Sequence, residues 1–239
     1  MKYIYGPVIS RRLRLSLGVS LTPYKVCDFD CIYCQLGRTP EPTRQRQEYV
    51  KTEEVIEELK SWLLNNKEEA QKLSYITISG LGEPTLNIKL GEIIDEIKKL
   101  VRLPVAVITN ASLLFEPGVR LDLLRADLVV PSLDAAVQDV FMRIDRPFKD
   151  IRIEKIIDGL VTFRKEFKGK TWLEVMLVKG VNDDLRYIKR LKQAINRICP
   201  DKVQLNAPVR ATAEPSVFAV DRPKLNKIKE ILGENCEII

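Results

Sequence analysis

The sequence predicts an α/β fold in which a parallel sheet forms a partial (β/α)6 TIM-like barrel with outer helices. From about residue 50 onward, short apolar runs of strand character alternate with stretches of helical period, as βα units do. Six such units can be counted, and a chain of 239 residues lies within the range of one barrel domain. We therefore expect a single domain over residues 1–239.

The predicted strands are the apolar runs of this pattern. In the first, RLRLSLGVSLTP, apolar side chains alternate at Leu13, Leu15, Leu17 and Val19. The later strands are SYITISG, VAVITN, DLVVPS, WLEVMLVKG and KVQLNAP. Functional groups in such barrels come from the loops at the carboxyl ends of the strands. Polar residues at those ends are therefore the candidates for a site.

The predicted helices lie between the strands. The first, TEEVIEELKSWLLNN, opens with acidic residues that suit the positive end of the helix dipole. The next has Asn87 as its N-cap and one apolar face, made of Leu90, Ile93, Ile94, Ile97, Leu100 and Val101. Further helical segments lie near 117–125, 135–144, 150–167, 183–198 and 222–232, and the tail CEII closes the chain.

The composition is that of a folded protein, with 45% hydrophobic and 30% charged residues. No apolar run approaches the roughly 20 residues that cross a bilayer, so we expect a cytoplasmic protein with no membrane partner. The net charge of +6 permits a phosphate-rich partner such as RNA, although a solvated basic surface explains it equally well. Histidine is absent, which removes the usual acid/base residue.

Three of the five cysteines stand within eight residues, in VCDFDCIYCQ, just beyond the first predicted strand. The odd number of cysteines does not suggest a disulfide framework, so reduced thiols are expected. Cys27, Cys31 and Cys34 can bind three corners of an iron-sulfur cluster, whose fourth corner is then open or takes a distant ligand. The alternative is a zinc site completed by Cys199 or Cys236.

The stretch CDFDCIYC resembles the C-x3-C-x2-C signature of radical SAM enzymes, with an aromatic residue before the last cysteine. This resemblance implies that Cys27, Cys31 and Cys34 hold a 4Fe-4S cluster. It also implies that the remaining iron is chelated by the amino and carboxylate groups of S-adenosyl-L-methionine (SAM). Tyr33 would then lie against the adenine, although simple burial in the core also suits an aromatic residue.

The segment SGLGEPTLN follows the second predicted strand. Radical SAM proteins carry Gly-Gly-Glu here, which contacts the amino group of the methionine part of SAM. In this sequence Leu81 replaces the first of those glycines, and the G-x-G-E-P form resembles the radical SAM methyltransferases of ribosomal RNA. The resemblance implies that Gly82 and Glu83 contact SAM, and a tight turn is the alternative.

Polar side chains end three further strands and can hydrogen-bond a ribose hydroxyl or a carboxylate. They are Asn110 in VITNAS, Ser132 and Asp134 in VVPSLDA, and Asn182 in VMLVKGVND. The resemblance implies that Ser132 and Asp134 lie near the ribose and carboxylate of SAM, and that Asn182 meets SAM. Asp134 could instead cap a helix.

Four residues are candidates for contact with a substrate. Asn206 and Arg210, in QLNAPVRATAE, are expected to point into the mouth of the barrel. Arg11 and Arg12, in SRRLR, favour an RNA substrate together with the arginines at 14, 44 and 46. The alternative for SRRLR is a charged strand edge that discourages pairing with other chains.

Taken together, the motifs resemble an iron-sulfur oxidoreductase branch of the radical SAM superfamily, related in its core to the wyosine-forming and nitrogenase-cofactor enzymes. The resemblance implies reductive cleavage of SAM to a 5′-deoxyadenosyl radical that abstracts hydrogen from a substrate. It also implies a low-potential electron donor such as ferredoxin or flavodoxin. Because the sequence has no further cysteine cluster, we expect one iron-sulfur cluster per chain.

RNA is the favoured substrate, and a glycyl-radical protein or a small metabolite are alternatives. A methyl-transfer variant would need a cysteine as methyl carrier, for which Cys236 is the candidate beside Cys199. From a different class, the chain could be a non-catalytic, zinc-stabilised nucleic-acid-binding module.

Overall fold

An eight-stranded sheet forms the centre of the structure, a computed structural model that describes residues 1–239. Its strands follow one another in space as they do in the chain: β1 (Ile4–Ser10), β2 (Arg14–Ser20), β3 (Tyr75–Ser79), β4 (Val105–Thr109), β5 (Leu128–Pro131), β6 (Lys170–Met176), β7 (Lys202–Asn206) and β8 (Cys236–Ile238). β1 and β2 are antiparallel, and every later pair is parallel. Strands β2 to β7 are the six predicted strands, so the predicted partial barrel is confirmed.

Eight helices connect the strands: α1 (Thr52–Asn65), α2 (Lys67–Ala70), α3 (Leu90–Leu100), α4 (Pro117–Leu123), α5 (Gln138–Ile144), α6 (Ile153–Glu166), α7 (Leu185–Ile198) and α8 (Arg222–Leu232). The main core lies between the sheet and the helices, because alternate strand residues such as Leu17 and Val19 meet apolar helix faces. On α3, the predicted face is buried at Ile93, Ile94 and Ile97. None of the helices has both the length and the apolar composition needed to span a membrane.

A second, small apolar cluster consists of Leu13, Ala106, Leu128 and Val130. Ala106, Leu128 and Val130 alternate with main-core residues of β4 and β5, so they lie on the opposite, concave face of the sheet. Leu13, Ala106 and Leu128 lie at or near the amino ends of their strands. Val130 and the partly buried Ile108 extend the cluster toward the carboxyl ends.

Two strands were not predicted from the sequence. β1 contains Gly6 and Pro7 in its centre, which break the alternating pattern, and its register shifts between Tyr5 and Val8. The ring of Tyr5 lies directly over Gly18, where an added Cβ would come within 2.1 Å of it. β8 has only three residues, too few for a pattern to be recognised in a single sequence.

The prediction that Asn87 caps α3 is wrong. The helix begins at Leu90, with Lys89 at the N-cap position. Asn87 instead accepts a hydrogen bond from the Lys89 N–H at 2.8 Å and donates one to the Leu21 carbonyl at 3.0 Å. Asparagine bonds to backbone two residues ahead in turns as readily as in caps, so the sequence does not separate the two. Helices α5 and α6 also begin at 138 and 153 rather than at the predicted 135 and 150.

Candidate active site

The loop that carries Cys27, Cys31 and Cys34 lies across the carboxyl end of the sheet, held from two sides. On one side it pairs with the segment after α5: Asp30 N–H donates to the Asp145 carbonyl at 3.1 Å, and Ile32 N–H donates to the Ile144 carbonyl at 2.9 Å. On the other side, Glu83 N–H donates to the Val26 carbonyl at 2.9 Å. The loop therefore lies against GLGEP, as the sequence-based hypothesis requires.

Gly82 permits this close approach. A Cβ at this position would lie 1.9 Å from the Val26 carbonyl oxygen, so any larger residue would push the cysteine loop away. Gly82 therefore lies directly against the backbone of Val26, the residue that precedes Cys27.

The carboxylate of Glu83 is buried and holds the end of β4. Its Oε1 accepts from Thr85 N–H at 3.0 Å, from the Thr85 hydroxyl at 2.6 Å and from the Thr109 hydroxyl at 2.7 Å. Its Oε2 accepts only from Asn110 N–H, at 2.8 Å, and so keeps capacity for one more donor. Burial, and then the charge of Asp28, raises the pKa of Glu83 to about 7. No cationic side chain pairs with this carboxylate.

Four of the predicted site residues line one pocket at the strand ends, here called the strand-end pocket. Its walls include Phe29, Tyr33, Asn110, Ser132, Asp134 and Asp145, and it holds about 260 Å³ of space including its open mouth. The sequence correctly grouped Tyr33, Asn110, Ser132 and Asp134. Asp145 joins them, a residue that the sequence did not single out.

The alternative that Asp134 caps a helix is wrong, because α5 begins at Gln138 with Val137 at the cap position. Asp134 instead accepts hydrogen bonds from the Tyr33 hydroxyl and, at 2.7 Å, from Met176 N–H. Burial raises the pKa of Asp134, and burial together with the charge of Asp134 raises the pKa of Asp145. Tyr33 packs partly on the core as well as lining the pocket.

Asn182 lies behind the pocket wall and does not line it. Its Nδ2 donates to the carbonyl oxygens of Asp134 and Met176, each at 2.8 Å, and its Oδ1 accepts from Val178 N–H at 2.8 Å. All of its polar hydrogens and its oxygen are thus engaged by backbone. In the structure Asn182 holds the segment of Asp134 against the end of β6.

The thiols of Cys27 and Cys31 lie among carboxylates. Cys31 Sγ lies 3.4 Å from Asp145 Oδ1, and Cys27 Sγ accepts from Phe29 N–H at 3.4 Å. Burial, followed by the charges of Asp28 and Glu83, raises the pKa of Cys27 well above its ordinary value. Burial and the charge of Asp145 do the same to the pKa of Cys31. Both thiols are therefore protonated until a metal displaces the proton.

The two remaining cysteines are remote from this loop. Cys236 is buried in the main core on the helix-covered face of β8, and burial raises its pKa to about 11. Cys199 ends α7 and precedes the amino end of β7, at the opposite edge of the sheet from Cys27. No three histidine, cysteine or carboxylate side chains converge closely enough to hold a single metal ion. Neither Cys199 nor Cys236 is placed to complete a zinc site at the cysteine loop, so that alternative is wrong.

A polar row crosses the concave face from the strand-end pocket toward the open edge of the sheet. Strand register places Ser132 beside Glu174, Glu174 beside Gln204, and Gln204 beside Glu237. Glu174 is buried, and its Oε1 accepts from Arg12 at 2.8 Å and from Asn206 Nδ2 at 2.8 Å. Its Oε2 receives no hydrogen bond from the chain. Sequence reasoning missed Glu174, because a carboxylate inside an apolar strand carries no local signal of which face it is on.

The predicted substrate residues meet this row or the cysteine loop. Arg11 donates to Asn206 Oδ1 at 2.8 Å and to the Ile239 carbonyl at 3.1 Å. With Arg12 on Glu174, the turn between β1 and β2 thus reaches across to β6 and β7. The alternative of a charged strand edge is wrong for these two arginines, since they point across the barrel. Arg210 donates to Gln35 at 2.8 Å, beside Cys34.

The sequence was compared with known families. The family described as the radical SAM superfamily matches residues 21–191, which include the cysteine loop and strands β3 to β6. The chain belongs to the radical SAM superfamily. Radical SAM enzymes use a 4Fe-4S cluster and SAM, so this radical SAM protein is an enzyme of that class.

Several curated relatives align with nearly all of this radical SAM protein. It is 44% identical over 237 residues to a protein of Brachyspira hyodysenteriae named GTPase Obg, covering 99% of this chain and 34% of the relative's length. It is 35% identical over 241 residues to a UPF0026 protein of Methanocaldococcus jannaschii, covering 100% of this chain and 73% of that protein. It is 26% identical over 220 residues to a probable dual-specificity RNA methyltransferase RlmN of a Thermotoga species, covering 87% of this chain and 59% of that protein.

Solved structures share the fold of this radical SAM protein. TYW1 with a lysine-pyruvate adduct bound superposes with a TM-score of 0.68 at 24% identity, over 92% of this chain and 74% of that one. A radical SAM methyltransferase from Sphaerobacter thermophilus superposes with a TM-score of 0.70 at 17% identity, over 95% of this chain and 66% of that one.

Proposed function

We propose that residues 1–239 form one domain that holds a 4Fe-4S cluster through Cys27, Cys31 and Cys34 and binds SAM in the strand-end pocket. The donor set fits such a cluster, because the three thiols share one short loop and the other two cysteines lie elsewhere in the fold. The same loop borders the strand-end pocket through Phe29 and Tyr33.

One observation carries the proposal. Glu83, Asp134 and Asp145 are buried around the cysteine loop, and none of them has a cationic side chain as partner. Buried carboxylates without a counterion are costly to ionise, which is why their pKa values are raised. SAM would bring two positive groups, the ammonium and the sulfonium, whose charge favours the ionised form of these carboxylates.

When bound, the cluster and SAM would supply the chemistry, a one-electron reductive cleavage of SAM that starts hydrogen abstraction from a substrate. The residues of the chain bind and orient the cluster and SAM, and they exclude water from the site. Tyr33 and Asp134, joined by a hydrogen bond, form one wall for the adenosine part, and Ser132 and Asn110 offer it hydrogen bonds. Glu83 Oε2 offers the acceptor for an ammonium group. Gly82 and Asn182 position these groups from behind.

For the substrate, we propose an RNA nucleoside. The basic chain, the arginines around the concave face and the similarity to RlmN all support this class. The polar row from Ser132 to Glu237 offers hydrogen-bonding groups beside the strand-end pocket. A low-potential protein such as ferredoxin or flavodoxin would supply the electron.

Anaerobic reconstitution tests the proposal. We expect a brown protein with about four iron atoms per chain that forms 5′-deoxyadenosine from SAM and dithionite. Deuterium-labelled RNA, peptide and metabolite pools are then offered in turn, and label in 5′-deoxyadenosine identifies the hydrogen donor. Label from the RNA pool is the expected result. A colourless protein that binds zinc and leaves SAM intact would contradict the whole proposal, and label from another pool would contradict the substrate alone.

A further inference from the structure

A second pocket, here called the cationic pocket, lies outside the strand-end pocket. It is lined by Arg44, Arg152 and Lys155 together with Ser112, Phe115 and Asp150, and it holds about 230 Å³ of space. Drug-sized ligands occupy pockets of roughly 300–1,000 Å³, so this one suits a single small group of a larger molecule. Three cations and one carboxylate on its walls give a net charge of +2.

The three cations have no hydrogen-bonded partner in the chain. The nearest carboxylate contact of Arg44 is Glu116, at 3.8 Å, and the Nε of Arg44 is buried with no acceptor. Arg152 and Lys155 form no salt bridge. Most other partly buried arginines of this chain, such as Arg46 and Arg120, do pair with carboxylates at 2.8 to 2.9 Å. The buried Nε of Arg44 is costly to leave without an acceptor, whereas the exposed Arg152 and Lys155 keep their charges in water, free for a ligand.

A buried hydroxyl on the pocket wall gives independent support. Ser112 is fully buried and lines the pocket, and its Oγ forms no well-aligned hydrogen bond to the chain. Asp28 lies behind Ser112, close enough for the hydroxyl to lower the pKa of its carboxyl, so the hydroxyl can donate either to Asp28 or to a group in the pocket. The first turn of α6 begins at the pocket, with Arg152 at its N-cap position, and the positive end of that helix dipole also favours an anion.

We propose that the cationic pocket binds a phosphate group of a nucleotide or a nucleic acid. Arg44 offers a planar pair of donors, Lys155 a point charge and Ser112 a hydroxyl, a combination that suits the several oxygens of a phosphate. The pocket and the strand-end pocket lie on either side of the first turn of α6, since one contacts Ile153 and Ile156 and the other Arg152 and Lys155. A phosphate held here would anchor a molecule whose other end reaches the candidate active site. The inference rests on contacts outside the cluster loop and stands whatever reaction that loop supports.

The test uses the whole chain of 239 residues, reconstituted anaerobically. Thermal stability is measured in inorganic phosphate, AMP and a short single-stranded RNA, each against chloride at matched ionic strength. We expect stabilisation by phosphate compounds. The charge reversals Arg152→Glu and Lys155→Glu should weaken the apparent affinity by about tenfold or more. Ser112→Ala, which adds no charge, should weaken it less.

Lys165→Glu is the matched control, because it makes the same charge change at an exposed position in the last turn of α6. It lies ten positions from Lys155, about 15 Å along the helix, and should leave binding unchanged. For RNA, each lost phosphate contact should reduce the slope of log affinity against log salt by about 0.7.

The three ligands show whether the phosphate belongs to a free nucleotide or to a nucleic acid. Binding of AMP without RNA indicates a free nucleotide, and RNA binding that is sensitive to both reversals indicates a nucleic acid. Either result supports the site. No stabilisation by any of the three, or equal losses in Lys165→Glu and the two reversals, overturns it. Formation of 5′-deoxyadenosine is measured in parallel, so failure of this site and failure of the proposed reaction are seen separately.

Discussion

The backbone N–H of Glu83 donates to the carbonyl oxygen of Val26 at 2.9 Å, which ties the end of β3 to the residue before Cys27. The contact joins the GLGEP segment to the cysteine loop by main chain alone. It makes the position of the three thiols depend on a residue that carries no side chain, Gly82. The first prediction concerns that residue.

Gly82→Ala is expected to displace the cysteine loop. The new Cβ would lie 1.9 Å from the Val26 oxygen, and overpacking of this kind costs about 1–3 kcal/mol or more of unfolding free energy. Iron content after reconstitution should fall together with stability. Gly118→Ala is the control, because its Cβ would meet only Arg46 at 3.9 Å and alanine favours the helix α4. Full iron loading in Gly82→Ala would contradict the proposed close contact.

The stability of the protein without cluster or SAM should fall as pH rises from 4.5 to about 7. Burial raises the pKa of Glu83 from 4.5 to about 7, so the folded state binds a proton that the unfolded state releases within this window. The contribution of Glu83 to the free energy of unfolding is fully present below pH 4.5 and is lost above about pH 7, a change of roughly 3 kcal/mol. Denaturant unfolding at both ends of the window measures it. Glu83→Gln should show a smaller pH dependence whatever its absolute stability, and an unchanged one would refute the assignment.

Asn182→Ala should destabilise the protein even without SAM. Its side chain makes three hydrogen bonds of 2.8 Å to buried backbone groups. Leaving those groups unsatisfied costs at least about 3 kcal/mol. Thermal unfolding of the cluster-free protein measures this loss, with the exposed helical Asn196→Ala as a neutral control. A normal melting temperature combined with lost SAM binding would show instead that Asn182 acts only on SAM.

Glu174→Gln should separate SAM cleavage from substrate use. The residue lies on the concave face beside Ser132, and its Oε2 is not hydrogen-bonded to the chain. Formation of 5′-deoxyadenosine without substrate should stay close to that of the unmodified chain. Deuterium transfer from the substrate pool should drop about tenfold or more, because a buried acceptor for the substrate is replaced. Glu237→Gln, at the half-exposed end of the same row, should have the smaller effect.

Alanine at each of Cys27, Cys31 and Cys34 should abolish the brown colour and the bound iron. Alanine at Cys199 or Cys236 should leave both unchanged, since neither thiol reaches the loop. Cys236→Ala should cost about 1 kcal/mol or more of stability, because the thiol is buried in the core. Iron and sulfide analysis of the five alanine variants after anaerobic reconstitution checks this prediction. Loss of iron from Cys236→Ala would show that Cys236 is a ligand after all.

Local patterns in the sequence predicted many of the residues at the candidate site. The cysteine spacing, the glycine before Glu83 and the polar residues at the ends of β4 and β5 all lie within a few positions of a recognisable strand. Parallel strands bring their carboxyl ends to one edge, so residues far apart in sequence were correctly grouped there. Asn182 was found by the same rule, but its side chain turns to the backbone instead of the pocket.

The sequence by itself determined the class of fold, the loop of three thiols and the edge of the sheet on which the site lies, because strand and helix periods and short spacings are local properties. Only the tertiary structure decided that Asp145 contacts Cys31 across 114 positions, that Arg12 pairs with Glu174 across 162, and that Arg44, Ser112 and Lys155 share a pocket. Such contacts depend on how loops from different strands pack over the sheet. A single sequence records the residue types but not the distances between them.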